Sequence, residues 1–215
     1  MKTRVTTNAH DGIDANMAPP STWVQRWSHL VADRGVVLDV ACGHGRHARW
    51  FYERHHPVVL VDRSREAIES IAIPASACEA VVADIENGPW PFAGRQFDAV
   101  VVTNYLWRPL MPTLLDSLAP GGVLIYETFT QGNETVGKPS RPDFLLRTGE
   151  LLQVCQGLRV VAFEDGFQES VNPASGGLTS RFIQRIAAVR EAGNSMGLPA
   201  TLNQTEAYPP RYRLP

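Results

Sequence analysis

Gly43 and Gly45 stand one residue apart, and Gly43 comes four residues after a carboxylate, Asp39. With Ala41 and Cys42 they make a small-residue turn whose backbone can approach a ligand where a Cβ would collide. The run Val36 to Val40 is apolar apart from Asp39, and Arg46 to Arg54 suits a helix. A strand feeding a glycine turn feeding a helix reads as the first unit of a nucleotide-binding α/β sheet. Asp39 is the odd member, because a carboxylate at the end of a buried strand is costly unless something pairs with it.

Other polar residues close apolar runs in the same way. Pro57–Val61 ends at Asp62, Ala80–Ala83 at Asp84-Ile85, Phe97–Thr103 at Asn104-Tyr105, and Val123–Tyr126 at Glu127. Counted from Asp39, the intervals are 23, 22, 20 and 23 residues. Such a period is a repeated βα unit with strands buried on both faces. Right-handed crossovers put all the carboxyl ends on one edge, which is where ligands bind in parallel sheets. Each acid alone also suits a helix cap; the series along one rim argues for a site.

The elements that must hold this rim follow from the rest of the pattern. A helix is expected from Thr22, with Thr22 and Gln25 as a capping box and Trp23, Trp27 and Leu30 on one face. Further helices are expected over Arg65–Ile71, Leu110–Leu118 and Phe144–Gln156, and residues 129–143 read as a loop. Leu158–Phe163 and Arg181–Arg190, joined by a turn-rich Asp165–Gly177, form an antiparallel hairpin. The expected fold is α/β: a doubly wound, seven-stranded, mostly parallel, Rossmann-like sheet with an antiparallel edge hairpin. Residues 1–20 are expected to be a flexible lead-in, 21–190 one domain, and 191–215 an irregular tail.

Two ligand classes compete for the glycine turn. Gly43-His44-Gly45-Arg46-His47-Ala48 fits the dinucleotide fingerprint literally, with Asp62 17 residues after Gly45. That leaves an NAD(P)-dependent oxidoreductase open. Against it, Asp39 beside a pyrophosphate is electrostatically wrong. A ligand with a cationic portion and a ribose suits the acids better, and S-adenosylmethionine has both.

At this point the motifs resemble a family. Leu38-Asp39-Val40-Ala41-Cys42-Gly43-His44-Gly45 is similar to the first motif of class I S-adenosylmethionine-dependent methyltransferases, with Ala41 in place of the more usual glycine. Asp62 sits where that family's second-strand acid holds the ribose, and Asp84-Ile85 where the third strand's end meets the adenine. Phe97-Asp98-Ala99-Val100 and Leu118-Ala119-Pro120-Gly121-Gly122 resemble the motifs at and after the fourth strand. The resemblance covers about residues 22–190. It implies that Asp39, Ala41, Cys42, Gly43, Gly45, Arg46, Asp62, Arg63, Asp84, Ile85 and Asn104 bind S-adenosyl-L-methionine, with S-adenosyl-L-homocysteine as product. Within the family, the segment from Asp143 to Leu151 and Arg181-Phe182 are similar to small tellurite-resistance-type methyltransferases, and thiopurine-type enzymes are also close. Acceptor contacts are expected at Tyr105, Trp107, Arg147 and Arg181. A methyltransferase acting on a small molecule with a soft thiol or chalcogen nucleophile is favoured over a non-catalytic S-adenosylmethionine-binding module.

Methyl transfer is an in-line displacement that alignment and desolvation can accelerate. A base is needed only where the acceptor must lose a proton, and no catalytic residue stands out. Glu127 reads as a buried, paired acid. The histidines His44, His47, His55 and His56 with Cys42 fit no zinc spacing, so no metal is expected.

Composition bounds the remaining classes. Net charge is −2 and the only lysines are Lys2 and Lys138, so neither a nucleic-acid-binding surface nor a Walker A loop is expected. Asn104-Tyr105-Leu106-Trp107 is not the sequence of an adenine-amine enzyme, and no cysteine follows a proline as a cytosine-carbon enzyme requires. No apolar run approaches the ~20 residues of a membrane span, the N-terminus has no signal-type apolar core, and three cysteines make no disulfide framework. A cytoplasmic protein without membrane or nucleic-acid partners is expected; monomer or homodimer is left open.

Overall fold

The computed structural model describes residues 18–171, 177–192 and 211–215. The expected lead-in and most of the expected tail lie outside the described residues. Seven strands form one sheet: β1 (Val37–Val40), β2 (Val58–Asp62), β3 (Cys78–Val82), β4 (Phe97–Thr103), β5 (Leu118–Phe129), β6 (Arg159–Val171) and β7 (Leu178–Val189). The order is β3-β2-β1-β4-β5-β7-β6. The first five are parallel, and β7 runs antiparallel between β5 and β6.

The order reverses between β1 and β4, so the crevice of this sheet opens above their carboxyl ends. Alternating side chains feed two apolar layers. One holds Leu38, Val40, Val100, Val102 and Leu124 with helix α4 (Met111–Asp116) and helix α5 (Glu150–Val154). The other holds Val37, Ala99, Val101 and Ile125 under α1 (Thr22–Trp27), α2 (Arg46–Tyr52) and α3 (Arg65–Glu69). Trp23 and Trp27 of α1 are each 2% exposed, so burying either indole contributes about 2–3 kcal/mol. The chain end returns to this second layer: Tyr212 packs on it, and the Arg213 carbonyl meets the His29 ring.

Several local expectations are corrected. Ser21, not Thr22, caps α1, its hydroxyl accepting the Trp23 N–H at 3.1 Å, while Gln25 donates to the Pro20 carbonyl. The helix expected over Phe144–Gln156 is confined to Glu150–Val154. Gly149 takes a left-handed conformation (φ 69°) that breaks it, and Leu146 instead bridges Thr130 in extended form. Ala119–Gly122 lies inside β5, where Gly121 and Gly122 pair with Arg190 just past β7. The edge hairpin is longer than Leu158–Phe163 with Arg181–Arg190, pairing out to Val171 and Leu178.

Candidate cofactor and acceptor site

The turn after β1 is built from left-handed backbone: Ala41 (φ 52°), Gly43 (φ 53°) and Gly45 (φ 72°). Asn104, just past β4, shares that conformation (φ 53°). Two non-glycine residues held there at neighbouring strand ends mark a place where strain is tolerated for geometry. A Cβ on Gly43 would meet nothing within 4 Å, so the turn faces open space.

Asp62 is tied to this turn. Its carboxylate accepts the Gly43 N–H at 2.8 Å and the Ser64 N–H at 2.8 Å. A carboxylate offers about four lone-pair positions, so acceptor capacity remains for a diol. Asp84 is exposed and caps its own turn, accepting from Glu86, Asn87 and the Asn87 side chain; those hydrogen bonds hold it below the usual carboxylate range. Asp39 is 1% exposed and accepts the Ala48 N–H at 3.2 Å, from inside α2. Burial pushes its carboxyl up to about 7.

Two adjoining hollows meet at Ala41 and Asn104. The first, about 390 Å³, is lined by Asp62, Arg63, Asp84, Ile85 and Glu86 at one end. Tyr105, Leu106, Phe129, Pro139 and Phe144 line its other end. The second, about 650 Å³, is lined by Cys42, Gly43, His44, Arg46, Arg49, Ser70, Thr103 and Ala18. Of the expected site residues, Asp39 and Gly45 shape the turn from below. Trp107 packs on the α4–α5 layer. Arg147 is exposed, spending its backbone on Glu150 and Gln184. Arg181 grips the Gln168 side chain. None of these last three lines a hollow.

Glu127 is a buried, paired acid, as its sequence context suggests, and its partners form a cluster that the sequence does not signal. Glu127, 2% exposed, accepts from the Ser21 hydroxyl at 3.0 Å and from Arg185 at 3.1 Å. Arg185 also pairs with Glu164 and lies over the Trp23 ring. The Ser21 N–H donates to His47 Nε2 at 3.2 Å, which leaves the ring proton on Nδ1, 3.5 Å from the Thr103 hydroxyl. Burial depresses His47 to about 3, so the ring is neutral. Arg46 reaches the Pro19 carbonyl at 3.4 Å. Residues 18–21 are thus strapped across the second hollow.

Residues 37–122 match the family model described as a methyltransferase domain. That segment is similar to a methyltransferase domain. Strands β1 to β4, the glycine turn, Asp39, Asp62, Asp84 and Asn104 fall within the matched segment; β6, β7 and the part of β5 that carries Glu127 lie beyond it. No curated protein sequence matches at a significant level. Solved structures agree on the fold. TehB from Haemophilus influenzae aligns with a TM-score of 0.64 at 15% identity, over 79% of this chain. This chain spans only 61% of that protein. A structure reported for conversion of a disulfide bond into a thioacetal group during echinomycin biosynthesis aligns at 0.59 and 20% identity, over 83% and 84% of the two chains. A TehB-like S-adenosylmethionine-dependent methyltransferase from Corynebacterium glutamicum aligns at 0.54 and 17%, over 79% and 87%. The fold is that of the class I S-adenosylmethionine-dependent methyltransferases, and S-adenosylmethionine is the cofactor of that class.

Proposed function

We propose that this methyltransferase transfers a methyl group from S-adenosyl-L-methionine to a small, cytosolic acceptor with a soft thiol or chalcogen nucleophile. The observation that carries the reading is the pair of hollows meeting at Ala41 and Asn104: a polar one against the glycine turn, and one running from Asp62 to an apolar end. S-adenosylmethionine supplies an electrophilic methyl carbon on a sulfonium. In this reading the turn and Arg46 hold its amino-acid part, Asp62 accepts from its ribose, and Ile85 covers its adenine. Asp39 lies beneath the turn as the nearest buried carboxyl to the cationic portion.

The apolar end, Leu106, Phe129 and Phe144, excludes water and aligns the acceptor. Among the described residues, no histidine, cysteine or lysine lines that hollow. The Tyr105 hydroxyl is held well above its usual range by burial, with Glu86 adding to it, so it is a poor base. A thiol that reaches the pocket already ionised requires no base there. The structural neighbour reported for conversion of a disulfide bond into a thioacetal group is in keeping with a sulfur acceptor. The nicotinamide-dinucleotide alternative is disfavoured because the Gly43 N–H, which would have to receive a pyrophosphate, is spent on Asp62.

Thermal-shift titrations with S-adenosylhomocysteine and NADH separate the two, since a ligand stabilises only a fold that binds it. Stabilisation by NADH alone overturns the reading. A methyl-transfer screen over thiols, thiopurines, selenite and tellurite then tests the acceptor class, and binding without turnover of any acceptor would favour a non-catalytic module.

A further inference from the structure

Large apolar side chains left in solvent concentrate on one rim. Among the described residues seven large apolar side chains are exposed; Leu152 and Leu214 stand elsewhere, and the other five, Val136, Phe144, Phe167, Val171 and Leu178, belong to the 130–147 segment or the β6–β7 hairpin. The register explains why they meet. The last β5 pair is Phe129 with Ile183, so the pairs Phe167–Phe182 and Val171–Leu178 stand beyond the carboxyl edge of β5. Alternation along each strand places all four on the same face. The Phe167 and Phe182 rings are 4.9 Å apart. Phe182 in turn lies so close to Gly132 that a Cβ there would come within 2.8 Å of the ring. Asn133 joins this wall to the first hollow: it accepts the Phe182 N–H at 3.1 Å and donates to the Pro139 carbonyl at 3.0 Å. Pro139 and Phe144 line that hollow.

We infer that this apolar wall seats the hydrocarbon body of the acceptor while its nucleophile enters the first hollow; the inference rests on the methyl-transfer reading above. A hollow of about 390 Å³ shared with the adenosine leaves little room for a bulky acceptor. The wall is also too small for a stable pairing of two copies. Its stripe, divided by Glu169 and Ser180, offers on the order of 300 Å² against the roughly 800 Å² per partner of a standard interface. The chemical class is therefore a lipophilic thiol or chalcogenol rather than a small polar one.

The test is calorimetric binding of 2-mercaptoethanol, hexanethiol and decanethiol to protein saturated with S-adenosylhomocysteine. Affinity should rise about threefold per added methylene. Phe167→Ser and Leu178→Ser should each weaken decanethiol at least tenfold, leave 2-mercaptoethanol within twofold, and leave S-adenosylhomocysteine unchanged. Affinity independent of tail length, or equal losses for all three thiols, overturns the inference. So does a drop in oligomeric state of either variant in light scattering, which would make the wall an interface between copies. If S-adenosylhomocysteine does not bind at all, the methyl-transfer reading fails instead; the same thiol series on the ligand-free protein still decides whether the wall holds a tail.

Discussion

The Gly43 N–H donates to the Asp62 carboxylate over 2.8 Å, so the turn after β1 is held open by the last residue of β2. The same carboxylate is assigned to the ribose, so Asp62→Ala removes a turn support and a ligand contact together. It should weaken S-adenosylhomocysteine binding by about 1–3 kcal/mol, or roughly 5- to 150-fold. Isothermal titration measures it, and an unchanged affinity removes Asp62 from the ribose site.

Gly43→Val separates binding from folding. The new Cβ meets no protein atom within 4 Å, although φ of 53° strains a branched residue. The melting temperature should fall by only a few degrees, the equivalent of about 1 kcal/mol, while S-adenosylhomocysteine binding is lost. Retained binding would mean that the cofactor does not lie against this turn.

Glu127→Gln addresses the strap. Removing the charge leaves Arg185 with Glu164 alone and weakens the hold on Ser21. Breaking a fully buried pair costs about 3–5 kcal/mol; Arg185 keeps one partner, so about 2 kcal/mol is expected by chemical denaturation. A loss below about 0.5 kcal/mol would show that the cluster is not a structural tie.

His47 and Asp39 make opposite contributions to the pH dependence of stability. His47 falls from 6.5 to about 3 on folding, so the unfolded chain holds the extra proton between those values and stability drops as pH falls below 6.5. Asp39 rises from 3.8 to about 7, so the folded chain holds the extra proton in nearly the same window and stability drops as pH rises toward 7. The two slopes cancel between about pH 4 and 6.5. Asp39→Asn leaves the histidine slope uncovered, and its stability relative to the parent should fall by about 1.4 kcal/mol per pH unit as pH drops below 6.5. His47→Gln should show the reverse relative slope. Urea denaturation of the ligand-free proteins at pH 4.5, 5.5 and 6.5 reads both, and parallel curves for parent and variants would remove the pair from the account.

The parallel half of the fold was legible because burial on both faces demands unbroken apolar runs, and because polar residues recur at one spacing where those runs stop. Gly43, Asp62, Ile85 and Asn104 line the hollows for that reason. Arg147 and Trp107 do not line the hollows, because nearness to a strand end does not say which way a side chain turns. Arg181 lies on the strand face opposite its neighbour Phe182, which alternation alone could have indicated. Ser21, His47 and Arg185 gave no local signal at all. They meet only when Ser21 and Arg185, 106 and 58 positions from Glu127, are brought together by the finished sheet.

That separation has a kinetic consequence. The hydrogen bond from Ser21 to Glu127 spans 106 residues and cannot form until β5 and β7 are paired. The strap is therefore a late and weakly cooperative part of the fold. It can detach at a fraction of the global unfolding free energy, as segments held by few contacts do. Access to the turn then requires the release of a few hydrogen bonds rather than any movement of the sheet.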